Sequence, residues 1–152
     1  MQIRPLSATD IPAAASLLRL LAERSIVQDC APVDAAAFLR EHDADGIARH
    51  LADGMAYHVA TRDDVLLGFI GVRERRHVFH MFVDQAHQRQ GVARALWQHA
   101  RAAAGNPAQM TVNAAIGAVP VYRALGFVPT APVQSRNGIA FHPMQFEGSV
   151  HA

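Results

Sequence analysis

The segment of residues 65–72, with the sequence VLLGFIGV, restricts the fold of this chain more than any other feature. It is a nearly continuous apolar run that follows the polar turn residues 62–64 (RDD). A strand that is apolar at almost every position, instead of at alternate positions, is typical of a sheet that is covered on both faces. The run therefore predicts a strand that other elements of the fold bury from both sides.

Helices and further strands surround this run. Residues 2–6 predict an edge strand, and Thr9 or Asp10 caps a helix whose apolar residues are spaced i, i+3, i+4 and i+7. Residues 43–46, which include Gly46, are predicted to break a second helix before a short piece that ends near Asp53 and Gly54. The other predicted helices are 33–42, 92–104 and 119–125, and the other predicted strands are 56–61, 78–83, 109–112, 127–130 and 139–146. This order predicts a mixed α and β fold around one sheet.

Composition bounds the class of protein. The 152 residues suit a single domain, 1–152, and 51% hydrophobic with 18% charged residues supply a full core, which excludes a disordered tail. Lys and Arg number 14 and Asp and Glu 13, so the net charge of +1 provides no field that would attract nucleic acid or an anionic membrane. The single cysteine, Cys30, and the lack of a leader-like or membrane-length apolar segment predict a cytoplasmic protein.

Residues 83–94, with the sequence VDQAHQRQGVAR, carry the strongest indication of chemistry. A predicted strand ends here, a polar loop follows, and the small residues Gly91 and Ala93 lie where a helix begins. The first amides of a helix lack internal partners and lie at its positive end, so they can bind phosphate, and Arg89 and Arg94 would add charged contacts. An ordinary strand-to-helix turn with a glycine explains the same spacing equally well.

Two motifs in this chain resemble the GCN5-related N-acetyltransferase (GNAT) family. Residues 88–93 (QRQGVA) match its Q/R-x-x-G-x-G/A signature, and residues 122–127 (YRALGF) match its Tyr-x-x-x-Gly-Phe segment. The order of the predicted elements also agrees, so the resemblance covers essentially the whole chain. It implies an α+β (mixed α/β) fold with a central, mostly antiparallel twisted sheet of about six to seven strands, one splayed strand pair and about four flanking helices.

The resemblance also implies a co-substrate, acetyl-coenzyme A (acetyl-CoA), and the residues that hold it. The splayed strand leaves the Met81 amide near the thioester carbonyl, the backbone of Val83 pairs with the pantetheine arm, and the amides at the helix start hold the pyrophosphate. The Asn113 side chain contacts the cofactor arm, and Tyr122 stands beside the sulfur. The predicted cofactor-binding residues are Met81, Phe82, Val83, Gln88, Arg89, Gln90, Gly91, Val92, Ala93, Arg94, Asn113 and Tyr122.

Acetyl transfer to an amine needs an oxyanion donor, an acid and a base. The Met81 amide is the predicted oxyanion donor, and Tyr122 is the predicted acid for the departing thiolate, with a packed aromatic residue as the alternative reading of Tyr122. Period-two alternation puts His77 on the strand face of Met81, so His77 is the predicted base. Glu74, at the end of the preceding strand, competes with it, and for both residues a surface or structural position is the alternative.

The remaining polar residues give weaker indications. No metal site is expected from the nine histidines, because His77 and His80 point to opposite faces of a regular strand and no helix carries an H-x-x-x-H or C-x-x-C pair. In the GNAT family the segment between the first helices and the loop at residues 133–137 border the substrate cleft. This makes Tyr57, His58 and Arg136 candidates for substrate contact, with surface positions as the alternative.

Together, the residues and the resemblance predict an N-acetyltransferase that moves an acetyl group from acetyl-CoA to a primary amine of a small molecule or peptide. Transfer is expected by direct attack in a ternary complex. The alternative is a non-catalytic acyl-CoA-binding module that docks a partner protein. Neither metal, nucleic acid nor membrane is expected as a partner, and edge strands at both ends of the chain favour a homodimer.

Overall fold

The computed structural model describes residues 1–28 and 30–147, so the last five residues of the predicted domain lie outside the described part. The helices are α1 (Ile11–Ser25), α2 (Pro32–Glu41), α3 (Ala44–Ala52), α4 (Val92–Ala103) and α5 (Val119–Ala124). The strands are β1 (Gln2–Pro5), β2 (Ala56–Arg62), β3 (Val65–Arg73), β4 (His77–Val83), β5 (Met110–Ala115), β6 (Phe127–Pro129), β7 (Gln134–Arg136) and β8 (Ile139–Phe146). Within this part of the chain, no helix has the length and apolar character that crossing a membrane requires.

The strands form one sheet in the order β1-β2-β3-β4-β5-β8-β6, and β7 also pairs with β8. Every pair of neighbours is antiparallel except β4 and β5, which run parallel. The predicted α+β fold with a mostly antiparallel sheet is therefore confirmed. The described residues form eight strands instead of six to seven, and five helices instead of about four.

The sheet separates two hydrophobic cores. One core lies against α4 and α5, and the other lies against α1 and α3. Strand β3 contributes to both, because Leu67 and Ile70 belong to the first core and Phe69 belongs to the second. The apolar run at residues 65–72 is thus buried from both sides, as its sequence predicts.

The helices agree with the predicted patterns except at one point. The predicted apolar face of α1 is buried and consists of Ala14, Leu17, Leu18 and Leu21. Gly46 does not break a helix: the break lies at His42 and Asp43, and the Asp43 carboxylate caps α3 by accepting a hydrogen bond from the Gly46 amide at 2.9 Å. In α4 the buried residues are Val92, Leu96, Trp97 and Ala100.

The last two strands pair through a tight hairpin that the sequence predicts only in part. Asn137 and Gly138 form the expected turn, with φ of 52° and 79°, the left-handed conformation that such two-residue turns require. Residues 134–136, which were predicted to lie in a loop, form β7 and pair with the beginning of β8.

Strands β4 and β5 pair over a short distance only. Their register consists of His77 opposite Thr111 and Val78 opposite Val112, and no further β4–β5 pair occurs among the described residues. Beyond Val78 the two strands diverge, which is the predicted splayed pair. The resulting gap opens beside the C-terminal half of β4.

Strand β4 carries a bulge at the point where the gap begins. Gly71 of β3 pairs with His80 and the next residue, Val72, pairs with Val78, so Phe79 has no partner in β3. An extra residue of this kind interrupts the alternation of side chains between the two faces. Val78 and Met81 accordingly pack in the core under α4, whereas Phe79 packs in the core under α1.

Candidate active site

The backbone of Met81 and Val83 faces the gap between β4 and β5. The Asp84 amide donates to the Leu67 carbonyl at 2.8 Å, so the backbone of Asp84 faces β3. Because backbone groups of successive strand residues point to opposite sides, Met81 and Val83 present their amides and carbonyls to the gap. The Gln88 side chain agrees with this direction, since its Nε2 donates to the Val83 carbonyl at 3.1 Å.

The loop that follows β4 exposes the first amides of α4. Arg89 and Gly91 adopt left-handed conformations, with φ of 65° and 84°. Gly91 is the N-cap residue, and no side chain of the described residues caps the helix there. The first helical hydrogen bond runs from the Ala95 amide to the Gly91 carbonyl, which leaves the amides between these two residues directed outward. Space around Gly91 is open, so a phosphate can approach the backbone closely.

The two arginines near this helix start differ in their surroundings. Arg89 is exposed on the loop. Arg94 donates from Nη2 to the Ala124 carbonyl at 2.9 Å, at the C-terminal end of α5. Arg94 therefore ties the start of α4 to the helix that carries Tyr122, and its amide, more than its guanidinium, is directed to the proposed phosphate site.

Tyr122 is buried against the same side of the sheet as Met81. Its side chain is 5% exposed, and its ring meets Phe127 edge-on with centroids 5.4 Å apart. Met81, Ala93 and Tyr122 belong to one hydrophobic cluster. Burial raises the pKa of the Tyr122 phenol, which therefore keeps its proton throughout the neutral range. A buried phenol of this kind can supply a proton but does not carry a charge at rest.

Asn113 lies on β5 beyond the residues that pair with β4. Its neighbours Val112 and Ala114 are buried, and Asn113 is exposed on the opposite face of the strand. Phe82, another predicted cofactor contact, does not face the gap. Its ring packs against Phe69, with centroids 5.7 Å apart, and its backbone faces β3 by the same alternation.

The two predicted bases lie differently from the expectation. His77 does not share the face of the Met81 side chain, because the bulge at Phe79 reverses the alternation between them. The His77 Nδ1 forms a hydrogen bond with Thr111 Oγ1 at 2.8 Å, and burial together with Arg73 lowers the pKa of His77. Glu74 is exposed in the β3–β4 turn, four residues beyond Ile70, the β3 partner of Met81, which places it roughly 13 Å from Met81.

A cavity of about 410 Å³ lies between the segment after α1, which was predicted to border a substrate cleft, and the hairpin that follows the predicted loop at residues 133–137. The thiol of Cys30, after α1, lies 3.2 Å from the Gly138 carbonyl in the last hairpin. The cavity is lined by Ser25, Ile26, Gln28, Cys30, Ala115, Ile116, Gly117, Gly138 and Ala140.

Arg136 is exposed with its guanidinium 5.7 Å above the Phe141 ring, and Tyr57 and His58 are buried, so surface positions for these last two were wrong.

A buried polar cluster beside β4 was not predicted. His80 forms hydrogen bonds with Tyr57 and His42, and its pKa is lowered well below the ordinary value by burial and by the nearby His42 and His50. Burial lowers the pKa of His42 to about 4 and raises that of Tyr57. The sequence signal that could have found this cluster is weak: a histidine inside an otherwise apolar strand, opposite a glycine. In the two described ranges, no group of three or more His, Cys, Asp or Glu forms a metal-binding set.

The chain from residue 26 to residue 147 matches the family model described as an acetyltransferase (GNAT) domain. This chain belongs to the GNAT family. The match agrees with the gap, the exposed helix start and the element order described above. No curated protein sequence matches the chain.

Solved structures of GNAT proteins share the fold over nearly the whole chain. A GCN5-related N-acetyltransferase from Rhodopseudomonas palustris has a TM-score of 0.80 at 21% identity, covering 96% of this chain and 94% of that one. The PaiA N-acetyltransferase from Thermoplasma acidophilum, in complex with coenzyme A, has a TM-score of 0.76 at 12% identity, covering 96% and 98%. A ribosomal-protein-alanine N-acetyltransferase from Brucella melitensis has a TM-score of 0.67 at 18% identity, covering 95% and 98%.

Membership of the GNAT family confirms several predictions made from the sequence. The family, the fold and an acyltransferase that uses acetyl-CoA as co-substrate are all as predicted. The roles of individual site residues stay predictions, as does the homodimer.

Proposed function

We propose that this GNAT acetyltransferase moves the acetyl group of acetyl-CoA to a primary amine of a small molecule or peptide, by direct attack in a ternary complex. Residues 1–152 act as one domain in this proposal. The observation that carries it is the gap between β4 and β5, with the Met81 amide facing it and the open N-terminus of α4 beside it. The gap offers unpaired strand backbone to an extended ligand, and the helix start offers amides to its phosphates.

The residues present fit coenzyme A at both of these places. The amides of Gly91 to Arg94 would hold the pyrophosphate, and a side chain at position 91 would crowd it, which Gly91 avoids. Arg89, exposed on the same loop, would add charge. The backbone of Met81 and Val83 would pair with the pantetheine arm along β4. When bound, acetyl-CoA supplies an acyl group on a thiol that is a good leaving group.

Two groups of the chain would assist the transfer: one stabilises the developing negative charge on the carbonyl oxygen, and the other protonates the leaving thiolate. The amine nitrogen attacks the thioester carbon, and the Met81 amide donates a hydrogen bond to the carbonyl oxygen as it becomes negative, a kind of contact worth about 3 to 4 kcal/mol in other enzymes. As the carbon–sulfur bond breaks, the Tyr122 phenol gives its proton to the thiolate. Burial of Tyr122 in the cluster that contains Met81 supports this role, because the phenol is kept protonated close to the strand.

The proton lost by the amine passes to His77 or to a chain of water molecules. The lowered pKa of His77 supports the first route, since an imidazole that is neutral at pH 7 can accept a proton. Its hydrogen bond to Thr111, where β4 and β5 are still paired, fixes the ring. Glu74 is the weaker candidate because it is exposed in a turn far along β4.

The cavity between the segment after α1 and the last hairpin is the proposed acceptor site. Its volume of about 410 Å³ is sufficient for a small amine or for the end of a peptide. One structural neighbour is named a ribosomal-protein-alanine N-acetyltransferase, which supports a peptide amine as one class of acceptor.

The test is release of free thiol from acetyl-CoA in the presence of amines, amino acids and peptides. We expect turnover with at least one acceptor class. Tyr122→Phe should then lower kcat by about a hundredfold and leave the Kd for acetyl-CoA within about twofold, because the phenol acts in the transition state. An unaltered kcat would remove the acid role.

The matched control is Phe127→Leu, which disturbs the ring that packs on Tyr122 but keeps the phenol. Equal losses in both variants would assign the effect to packing. Tight binding of acetyl-CoA without turnover on any acceptor would contradict the transferase and favour the binding module.

A further inference from the structure

Three residues on neighbouring strands form a row across the sheet beside the β4 bulge. Tyr57 of β2 pairs with Gly71 of β3, and Gly71 pairs with His80 of β4. The side chains of Tyr57 and His80 lie on the face that packs against α1 and α3. His80 is the residue that follows the unpaired Phe79 and precedes Met81.

Both ring nitrogens of His80 are engaged inside the protein. The Tyr57 hydroxyl lies 2.9 Å from Nδ1, and Nδ1 of His42 lies 2.8 Å from Nε2. His80 is 4% exposed and is surrounded by aromatic rings, so water does not compete for these bonds. We name Tyr57, His80 and His42 the His80 clamp.

Gly71 gives the Tyr57 ring room to reach across β3. A methyl group added to Gly71 would lie 2.5 Å from Cε1 of that ring and 2.9 Å from Cδ1. Neighbouring strands are about 4.8 Å apart. A tyrosine on β2 can therefore reach a residue on β4 only if the β3 residue between them is a glycine or points its side chain in another direction. Gly71 therefore has no side chain where the clamp needs space.

The clamp holds His80, the residue that directly precedes Met81 and follows the bulge at Phe79. A bulge bends its strand and leaves the local backbone without the full set of ladder bonds. The amide of Met81 belongs to the peptide that begins at His80. Two hydrogen bonds to the His80 ring, together with the pairing of His80 with Gly71, restrict the orientation of that peptide. Strand β5 cannot orient this peptide, because β5 has diverged from β4 beyond Val78.

We propose that the His80 clamp positions the Met81 amide for the acetyl carbonyl of acetyl-CoA. This inference rests on the proposed function. Tyr57, His80 and His42 are positioning residues: they act through the backbone of β4 and touch neither substrate. Loosening the clamp should misdirect the Met81 amide and leave the phosphate site at α4 unchanged.

The test observes the Met81 amide directly. Protein labelled with ¹⁵N-methionine gives a backbone amide signal from each of Met55, Met81, Met110 and Met144, and Met81→Leu assigns the one of interest. Two variants loosen the clamp by different means: Tyr57→Phe removes the hydroxyl, and Gly71→Ala displaces the ring. His50→Gln is the matched control, because the His50 ring meets the His80 ring edge-on, with centroids 6.2 Å apart, and forms no hydrogen bond with it.

In the free protein, the Met81 signal should move in both clamp variants and stay in place in the control. In the wild type, the Met81 signal should differ between the complexes with acetyl-CoA and with CoA, and this difference should be reduced in both clamp variants. Turnover kcat should fall by about a hundredfold, the loss that a misplacement of about 1 Å causes, while Kd for CoA stays within about twofold.

An unmoved Met81 signal in both folded variants, with an unchanged difference between acetyl-CoA and CoA, would overturn the proposal. Failure of the proposed function gives another result: the wild type then binds neither ligand or turns over no amine. In that case the Met81 signal of the free protein still decides whether the clamp orients this amide.

Discussion

Acid should destabilise this protein through its buried histidines well before its carboxylates are protonated. His42 has its pKa lowered to about 4, mainly because burial disfavours the imidazolium. Glu41 opposes this effect, and the nearby His50 adds a smaller lowering to it. In the unfolded chain the same imidazole has a pKa near 6.5. Between these values the unfolded state binds a proton that the folded state does not, so the free energy of unfolding falls as the pH is lowered through this range.

The magnitude follows from the shift. A difference of about 2.5 pKa units at about 1.36 kcal/mol each amounts to about 3 kcal/mol for His42 alone, of which about 2 kcal/mol is lost by pH 5. His80 acts in the same direction, because burial and the nearby His42 and His50 lower its pKa as well. Above pH 6.5, where His42 is neutral in both the folded and the unfolded state, none of this free energy is lost. Against a typical total of about 5 to 15 kcal/mol, the loss is large.

The assay is urea unfolding at pH 7.5, 6 and 5, followed by the fluorescence of Trp97, which is the single tryptophan and is buried. His42→Gln should be less stable than the wild type at pH 7.5 and should lose about 2 kcal/mol less on going to pH 5. His142→Gln, on β8 outside the cluster, is the control and should keep the wild-type slope. The reasoning would be refuted if the unfolding free energy of the wild type were the same at pH 7.5 and 5. It would also be refuted if the unfolding free energy of His42→Gln fell by as much as that of the wild type between these pH values.

Two glycines give further predictions. Gly91→Ala places a side chain at φ 84°, so it should cost about 1 kcal/mol of stability and weaken CoA binding measured by calorimetry; an unchanged Kd would contradict the phosphate site at α4. Gly46→Ala should destabilise by about 2 kcal/mol in urea unfolding, although alanine is ordinarily the better helix former, because the new methyl would lie 1.9 Å from the Glu41 carbonyl oxygen. Gly117→Ala, with nothing within 4 Å of the new methyl, is the control, and equal losses in both variants would refute the steric argument.

Much of the fold could be predicted because its signals are local. The apolar run at 65–72, the spacing of Leu17 and Leu21 in α1 and the turn at Asn137 each depend on residues close in sequence. The same holds for the loop that ends in Gly91, where the conformation of one glycine sets the start of α4. The second helix ends at Glu41, one residue before its predicted end, but Gly46 was wrongly assigned to the break, because the Asp43 cap satisfies the start of α3 and makes the glycine tolerable within it.

The site could be predicted only where it consists of backbone and motif. Gly91 is the N-cap residue of α4, the Met81 backbone faces the gap, and Tyr122 is buried in the same cluster as Met81. The roles of these residues stay predictions. The face of His77 could not be predicted, since a single extra residue at Phe79 reverses the alternation and nothing in the local sequence marks it. Likewise the bond from Arg94 to the Ala124 carbonyl joins residues 30 apart, which no spacing rule anticipates.

By itself, the sequence determined the class of fold, the burial of β3 and the loop that opens α4, because hydrophobic periodicity and glycine conformation act within one element. Only the tertiary structure decided where β4 leaves β5, which face each side chain of β4 takes, and that Tyr57, Gly71, His80 and His42 meet. These features depend on the register between segments up to 38 residues apart, as in the His42–His80 bond. Register is fixed by the packing of both sheet faces at once, and a one-residue bulge changes it without changing the composition of either strand.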